Sequence, residues 1–430
     1  MRLPFWAVLA GAPALLPSVT AGPSTGGPAA SSPSPSPSPS PSPKSSASII
    51  IAKLPPCAIP CIASAVANST CSPDDIPCLC ADKAANEEGT TCVEARCSFS
   101  DGLSTKNATQ TACQAPIRDR SAEFNNTVIA LGVIAIFITA TRLAFKQFAH
   151  PTKALGADDW AILGTLVICV AGLVIVLRGM TANGLGRDVW TVTPAQISRF
   201  VLYFYVMEIL YLAGISLVKL SISLFYLRLF AATVRPAVLR ATVAFNLLYG
   251  LIFVTGAIFQ CIPVDFYWEQ FFDPAEGACI NINLYGWLNA AIGLAIDLWM
   301  IALPMSQVLP LRLHWKKKVG VAIMFLLGTF VTVVSALRLQ SLIHFAKSDN
   351  PTWDQWTTAY WSIIEINVGM ICSCLPTLRL ILVRLAPETF GSANRTPHLR
   401  ELRTTSRTEA SRTKEETDLQ QRYVVDLEEG

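Results

Sequence analysis

The sequence predicts an all-α membrane protein, a seven-transmembrane helix bundle that follows an extracellular, disulfide-rich helical domain. Three observations lead to this fold class. The 430 residues are 52% hydrophobic and only 15% charged, whereas soluble proteins are usually about a quarter charged. Apolar stretches of about 20 residues, enough to cross a bilayer, recur after residue 125. Eight of the 13 cysteines lie between Cys57 and Cys113. A single soluble domain is therefore excluded, and a net charge of +3 does not indicate a nucleic-acid partner.

The amino terminus has the layout of a secretory signal peptide over residues 1–21. Arg2 precedes an apolar stretch, and Val19-Thr20-Ala21 supplies the small residues of a cleavage site. A first transmembrane helix is the alternative, and the prolines and the short apolar run disfavour it. Residues 22–48 are almost all Ser, Pro, Gly and Ala, which predicts a disordered spacer because such a segment has nothing to bury.

The cysteine-rich segment predicts four disulfides, because an even number of cysteines follows a signal peptide. The eight residues are Cys57, Cys61, Cys71, Cys78, Cys80, Cys92, Cys97 and Cys113. Eight cysteines allow 105 pairings, and a zinc site is the alternative that secretion disfavours. Cys261 and Cys279 flank an acidic loop, which predicts a further disulfide that pins this loop over the bundle mouth; two unpaired thiols are the alternative.

The order of these residues over 49–116 resembles the fungal CFEM domain. The resemblance rests on Pro55-x-Cys57, on the motif Asp75-x-x-Cys78-x-Cys80 and on the remaining cysteine spacings. It implies a small disulfide-stapled helical domain at the cell surface. Some members bind haem through the aspartate of this motif, so Asp75 is the candidate axial iron ligand, Asp74 the neighbouring alternative and haem the candidate cofactor. The other interpretation is that Asp75 caps a helix or fills a turn.

Three Asn-x-Ser/Thr sequons, at Asn68, Asn107 and Asn125, predict glycosylation of this extracellular segment.

Seven transmembrane spans are predicted within residues 125–385. They cover residues 126–146, 159–178, 200–223, 241–261, 287–308, 319–341 and 360–383. With the cysteine-rich domain outside, 12 Lys and Arg residues lie at the inner ends and six at the outer ends. This asymmetry predicts a plasma-membrane protein with an extracellular amino terminus and a cytoplasmic carboxyl terminus. Residues 386–430, rich in Arg, Glu, Ser and Thr, predict a disordered cytosolic tail.

The helical part is similar to the fungal rhodopsin domain of the Pth-eleven-type receptors, which resemble G-protein-coupled receptors. The motifs that carry this resemblance are Gly156-Ala-Asp158-Asp159-Trp160, Gly184-Leu-Gly186-Arg187, Lys219 to Phe230, Gln260-Cys261-x-Pro263, Leu303-Pro304, Ser335-Ala-Leu-Arg338 and Cys374-Leu-Pro376. The resemblance implies a receptor whose cytosolic partner is a G protein or another signalling protein. Span 360–383 contains no lysine that could form a retinal Schiff base, so no retinal is expected.

Ionisable residues inside the spans predict an intramembrane polar network, because such residues usually face the bundle interior. They are Glu208, Lys219, Asp297, Arg338 and Glu365. We expect Arg338 to pair with one or both glutamates near the outer face. Lys219 is expected to extend toward the inner face. The network is either a ligand pocket and switch, or a structural lock between helices. An ion path is a third interpretation, and it would require an uninterrupted chain of polar residues through the bundle.

These features favour a receptor-like protein that senses an extracellular or surface cue through its CFEM domain. Surface capture of haem or iron, and adhesion to the cell wall, are the alternatives. The sequence shows no hydrolase, kinase or metalloprotease motif, so an enzyme is not expected. The expected partners are membrane lipid and an unidentified extracellular ligand.

Overall fold

The computed structural model describes residues 54–149, 155–230, 234–270, 277–308, 315–345, 348 and 350–385. The predicted signal peptide, spacer and cytosolic tail lie outside these residues. Within the described ranges the chain forms twelve α-helices and one two-stranded sheet.

A module of four short helices comes first. The helices are α1 (Ile59–Asn68), α2 (Ile76–Ala81), α3 (Lys83–Arg96) and α4 (Phe99–Ala112). Asp82 and Ser98 begin α3 and α4 because their side chains accept hydrogen bonds from backbone N–H groups of the first turn. The eight cysteines are joined as Cys57–Cys97, Cys61–Cys92, Cys71–Cys78 and Cys80–Cys113. The buried core of this module is small, so these disulfides supply much of its stability.

Seven of the described helices are long and apolar enough to cross a membrane, and the chain is a multi-pass membrane protein. They are α5 (Ser121–Ala144), α6 (Ala157–Ile175), α7 (Pro194–Leu229), α8 (Pro236–Ile258), α10 (Ile282–Val308), α11 (Trp315–Phe345) and α12 (Pro351–Leu385). Exposed apolar side chains such as Phe137, Leu251 and Leu326 cover the outside of the bundle. A surface of this kind suits lipid rather than water.

The spanning helices coincide with the seven predicted spans, and all but α6 are longer than predicted. The largest differences are α7, where Thr193 and Gln196 form a capping box well before residue 200, and α12, which begins at Pro351 rather than at residue 360. Hydropathy identifies only the apolar centre of a helix, whereas the hydrogen-bonded backbone continues until a cap ends it.

Small residues allow the helices to approach closely where they cross. A Cβ atom at Gly214 in α7 would lie 2.5 Å from Ile366 in α12, and one at Gly250 in α8 would lie 2.9 Å from Ser216 in α7. In lipid, helix association depends on such packing and on polar contacts, since lipid tails are as apolar as the side chains.

The loop between α8 and α10 folds back on the bundle. It contains β1 (Cys261–Ile262), the one-turn helix α9 (Phe266–Glu269) and β2 (Ala278–Cys279). The predicted disulfide between Cys261 and Cys279 is present and joins the two strands. Tyr267 of α9 is buried against Tyr205 of α7, with ring centroids 5.1 Å apart. Residues 271–276 of this loop lie outside the described residues.

The module packs against one end of the bundle, which we call the module end; the opposite end is the far end. Leu103 of α4 forms a buried apolar cluster with Val189, Val192 and Ile197, which lie in and after the loop between α6 and α7. In the same contact, Nδ2 of Asn107 donates a hydrogen bond of 2.6 Å to the carbonyl of Trp190. The module therefore covers the module end directly rather than only being tethered to it.

Candidate functional site: a two-part cavity above a buried polar core

A cavity of about 970 Å³ lies between the module and the module end of the bundle. We call it the vestibule. Leu79 and Val93 of the module line one side, and Phe200, Trp287 and Phe345 of the bundle line the other. A space enclosed by two parts of the chain is a common position for a ligand site.

A second cavity, of about 160 Å³, lies inside the bundle, and we call it the bundle cavity. Every spanning helix except α8 contributes residues to its wall. Glu208 of α7 and Gln355 of α12 line both cavities and therefore mark the junction between them. Arg338 and Asn289 contribute polar groups to the wall of the bundle cavity, which is otherwise mainly apolar.

Arg338 belongs to a buried polar core that joins four helices. Its Nε lies 3.0 Å from Oε2 of Glu365, and its guanidinium group lies over the ring of Tyr211, 4.9 Å from the centroid. The Tyr211 hydroxyl donates a hydrogen bond of 2.8 Å to the same carboxylate oxygen. Arg338 and Glu365 are 5% and 1% exposed, so neither charge is solvated and each depends on the other.

A second ion pair completes the polar core. Nζ of Lys219 lies 2.7 Å from Oδ1 of Asp297 and donates to the carbonyl of Gly293, also at 2.7 Å. The Ser335 hydroxyl lies 3.0 Å from Asp297 and 2.7 Å from Glu365, and so connects the two pairs. A hydroxyl has one proton and can donate to only one carboxylate at a time. The Val331 carbonyl lies 3.1 Å from the same hydroxyl, so this hydrogen bond has three alternative acceptors, two of which are the carboxylates.

The expectation for Lys219 needs correction. Lys219 does not extend toward the inner face, because it is 4% exposed and its ammonium group is held by Asp297 inside the bundle. The expected pairing of Arg338 with one or both glutamates is found, and the partner is Glu365. Glu208 instead accepts a hydrogen bond of 3.1 Å from Nε2 of Gln260.

A cluster at the module end ties the segment after the module to the bundle. Asp188, in the loop between α6 and α7, is fully buried and accepts hydrogen bonds from the backbone N–H and the guanidinium group of Arg118. It also accepts a bond of 2.8 Å from Nδ2 of Asn350, immediately before α12. We call Arg118, Asp188 and Asn350 the clasp. The clasp joins three separate segments through one buried carboxylate.

Aromatic and backbone contacts reinforce the clasp. Its hydrogen bonds and the charge of Asp188 raise the pKa of Arg118 above the ordinary value for arginine. Arg118 lies over the ring of Trp353, and the neighbouring Arg120 over that of Trp356, at 4.1 and 3.6 Å from the centroids. Gly186 adopts a φ of +81°, and a Cβ atom there would lie 2.8 Å from Trp356, which explains the glycine in the Gly184-Leu-Gly186-Arg187 motif.

A further ion cluster lies at the far end. Arg142 of α5 is 1% exposed, pairs with Asp159 at 2.9 Å and with Asp158, and donates to the backbone carbonyl of Ser373 in α12. Lys146 contacts both aspartates at 3.1 and 2.8 Å. Arg142 and Lys146 are two of the 12 positive charges counted at the inner ends. Arg142 lies within α5, and Lys146 lies in the π-helical turn that continues it. The two aspartates of the Gly156 motif therefore hold α5, α6 and α12 together.

The predicted haem ligand has a clear local role. Oδ1 of Asp75 accepts a hydrogen bond of 3.1 Å from the Cys78 backbone, so Asp75 caps α2. Its side chain is exposed and is not among the residues that line the vestibule. Among the described residues, no group of three or more His, Cys, Asp or Glu side chains could hold a metal ion. Haem binding through Asp75 stays a prediction.

The three predicted glycosylation sites lie in different environments. Asn68 is exposed and donates to Glu88 at 2.7 Å, whereas the Asn107 amide is engaged by Trp190 in the contact between module and bundle. Asn125 lies within α5, and its Oδ1 is buried without a hydrogen-bond partner. Glycosylation of these residues stays a prediction.

Sequence reasoning missed Gln355 and the clasp. Gln355 is an uncharged residue that lies before the predicted span 360–383, so the sequence pattern does not indicate its role. Arg118 and Arg187 are among the six positive charges at the outer ends, and that count predicts no partner for either. The adjacent residues Arg187 and Asp188 do indicate such a contact, because an aspartate among outer arginines can form an ion pair with one of them.

These features define a multi-pass membrane protein with a disulfide-stapled module over its bundle cavity. Residues 141–384, more than half of the chain, match the fungal rhodopsin domain, and residues 50–114 match the CFEM domain. The chain therefore belongs to the fungal rhodopsin domain family and carries a CFEM domain in front of it.

The chain is also similar to individual fungal proteins. It is 34% identical over 199 residues to a SAT4 family membrane protein of Emericella nidulans, covering 46% of this chain and 50% of that protein. It is 23% identical to Receptor GIN3 of Arthrobotrys oligospora over 62% of this chain and 65% of the receptor. Wortmanamides biosynthesis cluster protein C of Talaromyces wortmannii is 25% identical over 60% of this chain and 71% of its own length. The chain thus spans less than two thirds of the first two relatives, and no solved structure matches it.

The buried pair between Lys219 and Asp297 yields a stability prediction. Lys219→Met leaves a carboxylate inside the bundle without a counter-charge, so we expect a large loss of stability, of about 3–5 kcal/mol. The double variant Lys219→Met/Asp297→Leu removes both charges and should recover most of that loss. Unfolding of the full chain in detergent, followed by circular dichroism, measures the difference. A double variant no more stable than Lys219→Met would contradict this role.

Proposed function

We propose that this protein is a plasma-membrane receptor-like protein that detects an extracellular or surface cue and relays it to the cytosol. The amino terminus and module lie outside, after removal of residues 1–21 as a signal peptide, and the far end and the tail face the cytosol. The cytosolic partner is a G protein or another signalling protein. The inner loops within 224–240 and 309–318, together with the tail, are the proposed contact surface for it.

The clasp is the observation that carries this proposal. A receptor needs a physical connection between the part that meets the cue and helices that reach the other side of the membrane. The clasp joins the segment after the module to the first residue before α12. Glu365 of the polar core and Ser373 of the far-end cluster lie further along the same helix. A displacement of the module would therefore act on α12 directly.

The names of the relatives support a receptor role only in general terms. One of them carries the name Receptor GIN3, and others are named for biosynthesis clusters of wortmanamides and polyenoic acids. We propose that this chain shares a receptor role with the first.

Capture of haem or iron at the cell surface is the second candidate function. The favouring observation is that the Asp75 side chain is exposed and uses only Oδ1 in the cap of α2. The other carboxylate oxygen is therefore available to a ligand approaching from solvent. In this function Asp75 would hold the iron, and bound haem would supply the captured metal centre.

The receptor proposal predicts that a substitution in the clasp changes the structure at the far end. Native thiols report this, because Cys372 and Cys374 are unpaired and lie beside Ser373 in α12. In Asp188→Asn, we expect the rate of alkylation of these two thiols to rise about fivefold or more, the lower range of typical allosteric coupling. The measurement is mass spectrometry of the full chain in nanodiscs after timed exposure to a maleimide.

Asp119→Asn is the matched control. Asp119 pairs with Arg187 at 3.0 Å beside the clasp, but both side chains are about half exposed, so this variant should leave the thiols unchanged. Asn350→Ala, which keeps the charge pair of the clasp intact, should reproduce the effect of Asp188→Asn. Unchanged labelling in both clasp variants would contradict the relay and favour a module that serves adhesion or capture alone.

The haem candidate is tested with two variants of one residue. Asp75→Asn keeps an oxygen that can cap α2 but removes the carboxylate, whereas Asp75→Ala removes both. If Asp75 binds iron, titration of the full chain with haem should give a saturating Soret shift that is lost in both variants. A shift retained in Asp75→Asn, or no shift in the unaltered chain, would exclude Asp75 as an iron ligand.

A further inference from the structure

We propose that the bundle cavity binds a small amphipathic molecule, with an aromatic or short aliphatic body and a hydrogen-bond donor, best a protonated amine. The donor would lie at the junction with the vestibule, between Glu208 and Gln355. This inference rests on the proposed receptor function and names the class of ligand that such a receptor would detect.

The size of the cavity limits the body of the ligand. An apolar cavity of about 150 Å³ is large enough to hold one benzene ring. The bundle cavity, at about 160 Å³, is of the same size and so accommodates one ring or a short chain. A longer molecule would extend past the junction into the vestibule, which is several times larger.

The walls of the cavity select an apolar body. Phe124 of α5, Ile168 of α6 and Met207 of α7 line it on one side, and Ile363 and Ile366 of α12 on another. Gly132 and Gly172 widen the space, since a Cβ atom added at either would meet no neighbour closer than 3.5 Å. An apolar group placed here exchanges contact with water for close packing on several sides.

Most of the polar groups in the wall already have partners. The Thr358 hydroxyl contacts Ser341 at 3.1 Å, and the Ser362 hydroxyl donates to the Thr358 carbonyl at 2.8 Å. Asn289 accepts from Tyr249 at 2.6 Å, and Asn367 donates to the backbone of its own helix. These groups do not require a ligand.

Gln355 is different because its side-chain oxygen has neither a hydrogen bond nor an ion pair among the described residues. The Nε of Arg338 also lacks a hydrogen bond, but it has Glu365 at 3.0 Å. Gln355 is 4% exposed, and its Oε1 is buried without a hydrogen bond among the described residues. A buried acceptor without a donor is costly to leave unsatisfied. A ligand carrying a hydroxyl or ammonium group would supply that donor.

Glu208 determines which hydrogen-bond donor on the ligand is preferred. Among the residues that the structure describes, its only hydrogen bond comes from the neutral amide of Gln260, and no Lys, Arg or His lies within ion-pair distance. Asp297 and Glu365 each have a cation of their own. Among the described residues, Glu208 is thus an acidic group without a counter-charge at the cavity junction, and an ammonium group would stabilise its charged form through a charge-assisted hydrogen bond.

Three probes with the same aromatic body test this assignment: 2-phenylethylamine, 2-phenylethanol and phenylacetate. Binding to the full chain in nanodiscs is measured by ligand-observed NMR, which needs no signalling partner. We expect the amine to bind at least tenfold more tightly than phenylacetate, with the alcohol between them. Equal binding of all three, or tighter binding of phenylacetate, would overturn the assignment.

Three variants locate the site. Glu208→Gln should reduce the preference for the amine over the alcohol by about fivefold or more. Gln355→Leu should weaken both of these probes. Gly132→Val adds atoms to the cavity and should weaken all three probes together, whereas the exposed Asp119→Asn should change none. Unchanged binding in Gly132→Val would show that the probes bind elsewhere.

Failure of this inference is distinguishable from failure of the receptor proposal. The probe experiment measures occupancy of the cavity, and the alkylation experiment on the clasp variants uses no ligand. If the probes bind but the clasp variants do not change the labelling of the far-end thiols, the ligand site is supported and the relay is contradicted. Coupling without probe binding would leave the relay and overturn the ligand class.

Discussion

The pairing of charges inside the apolar bundle is the constraint on which the rest of the structure depends. Two cations and two carboxylates lie in the middle of the helices as Lys219–Asp297 and Arg338–Glu365. Each would be costly alone in hydrocarbon, so the four helices that carry them can pack only in arrangements that keep both pairs in contact. Ser335 links the pairs and can donate to either carboxylate, so one hydrogen bond in this core can change its acceptor.

Helix α12 connects this core to both ends of the molecule. Its start is held by the clasp, Gln355 lies at the cavity junction, Glu365 belongs to the core, and the Ser373 carbonyl accepts from Arg142 at the far end. Asn350 and Glu365 are about 20 Å apart along the helix axis. A ligand at Gln355 would therefore act between the clasp and the core. This common position supports the proposal that binding, the module and the far end influence one another.

The seven spans and the module could be predicted because both leave local signals, a run of apolar residues and a dense series of cysteines. The sequence also located the charged residues, but not their partners. Glu208 and Glu365 lie at similar depths in their helices, and only the rotation of α7 and α12 decides that Arg338 contacts Glu365. The sequence predicts that Lys219 extends toward the inner face because nothing local indicates its partner. The contact with Asp297 depends on the packing between α7 and α10. Gln355 carries no charge, so its importance emerges only from the cavity.

The central claim is that the clasp and the polar core act as one coupled unit through α12. A double-mutant cycle tests it most directly, with Asn350→Ala and Glu365→Gln measured singly and together by unfolding of the full chain in detergent. The residues are too far apart to touch, and distant independent sites are additive to within about 0.5 kcal/mol. The account predicts a coupling free energy clearly above that limit, of about 1 kcal/mol or more. Additivity within the limit would contradict it.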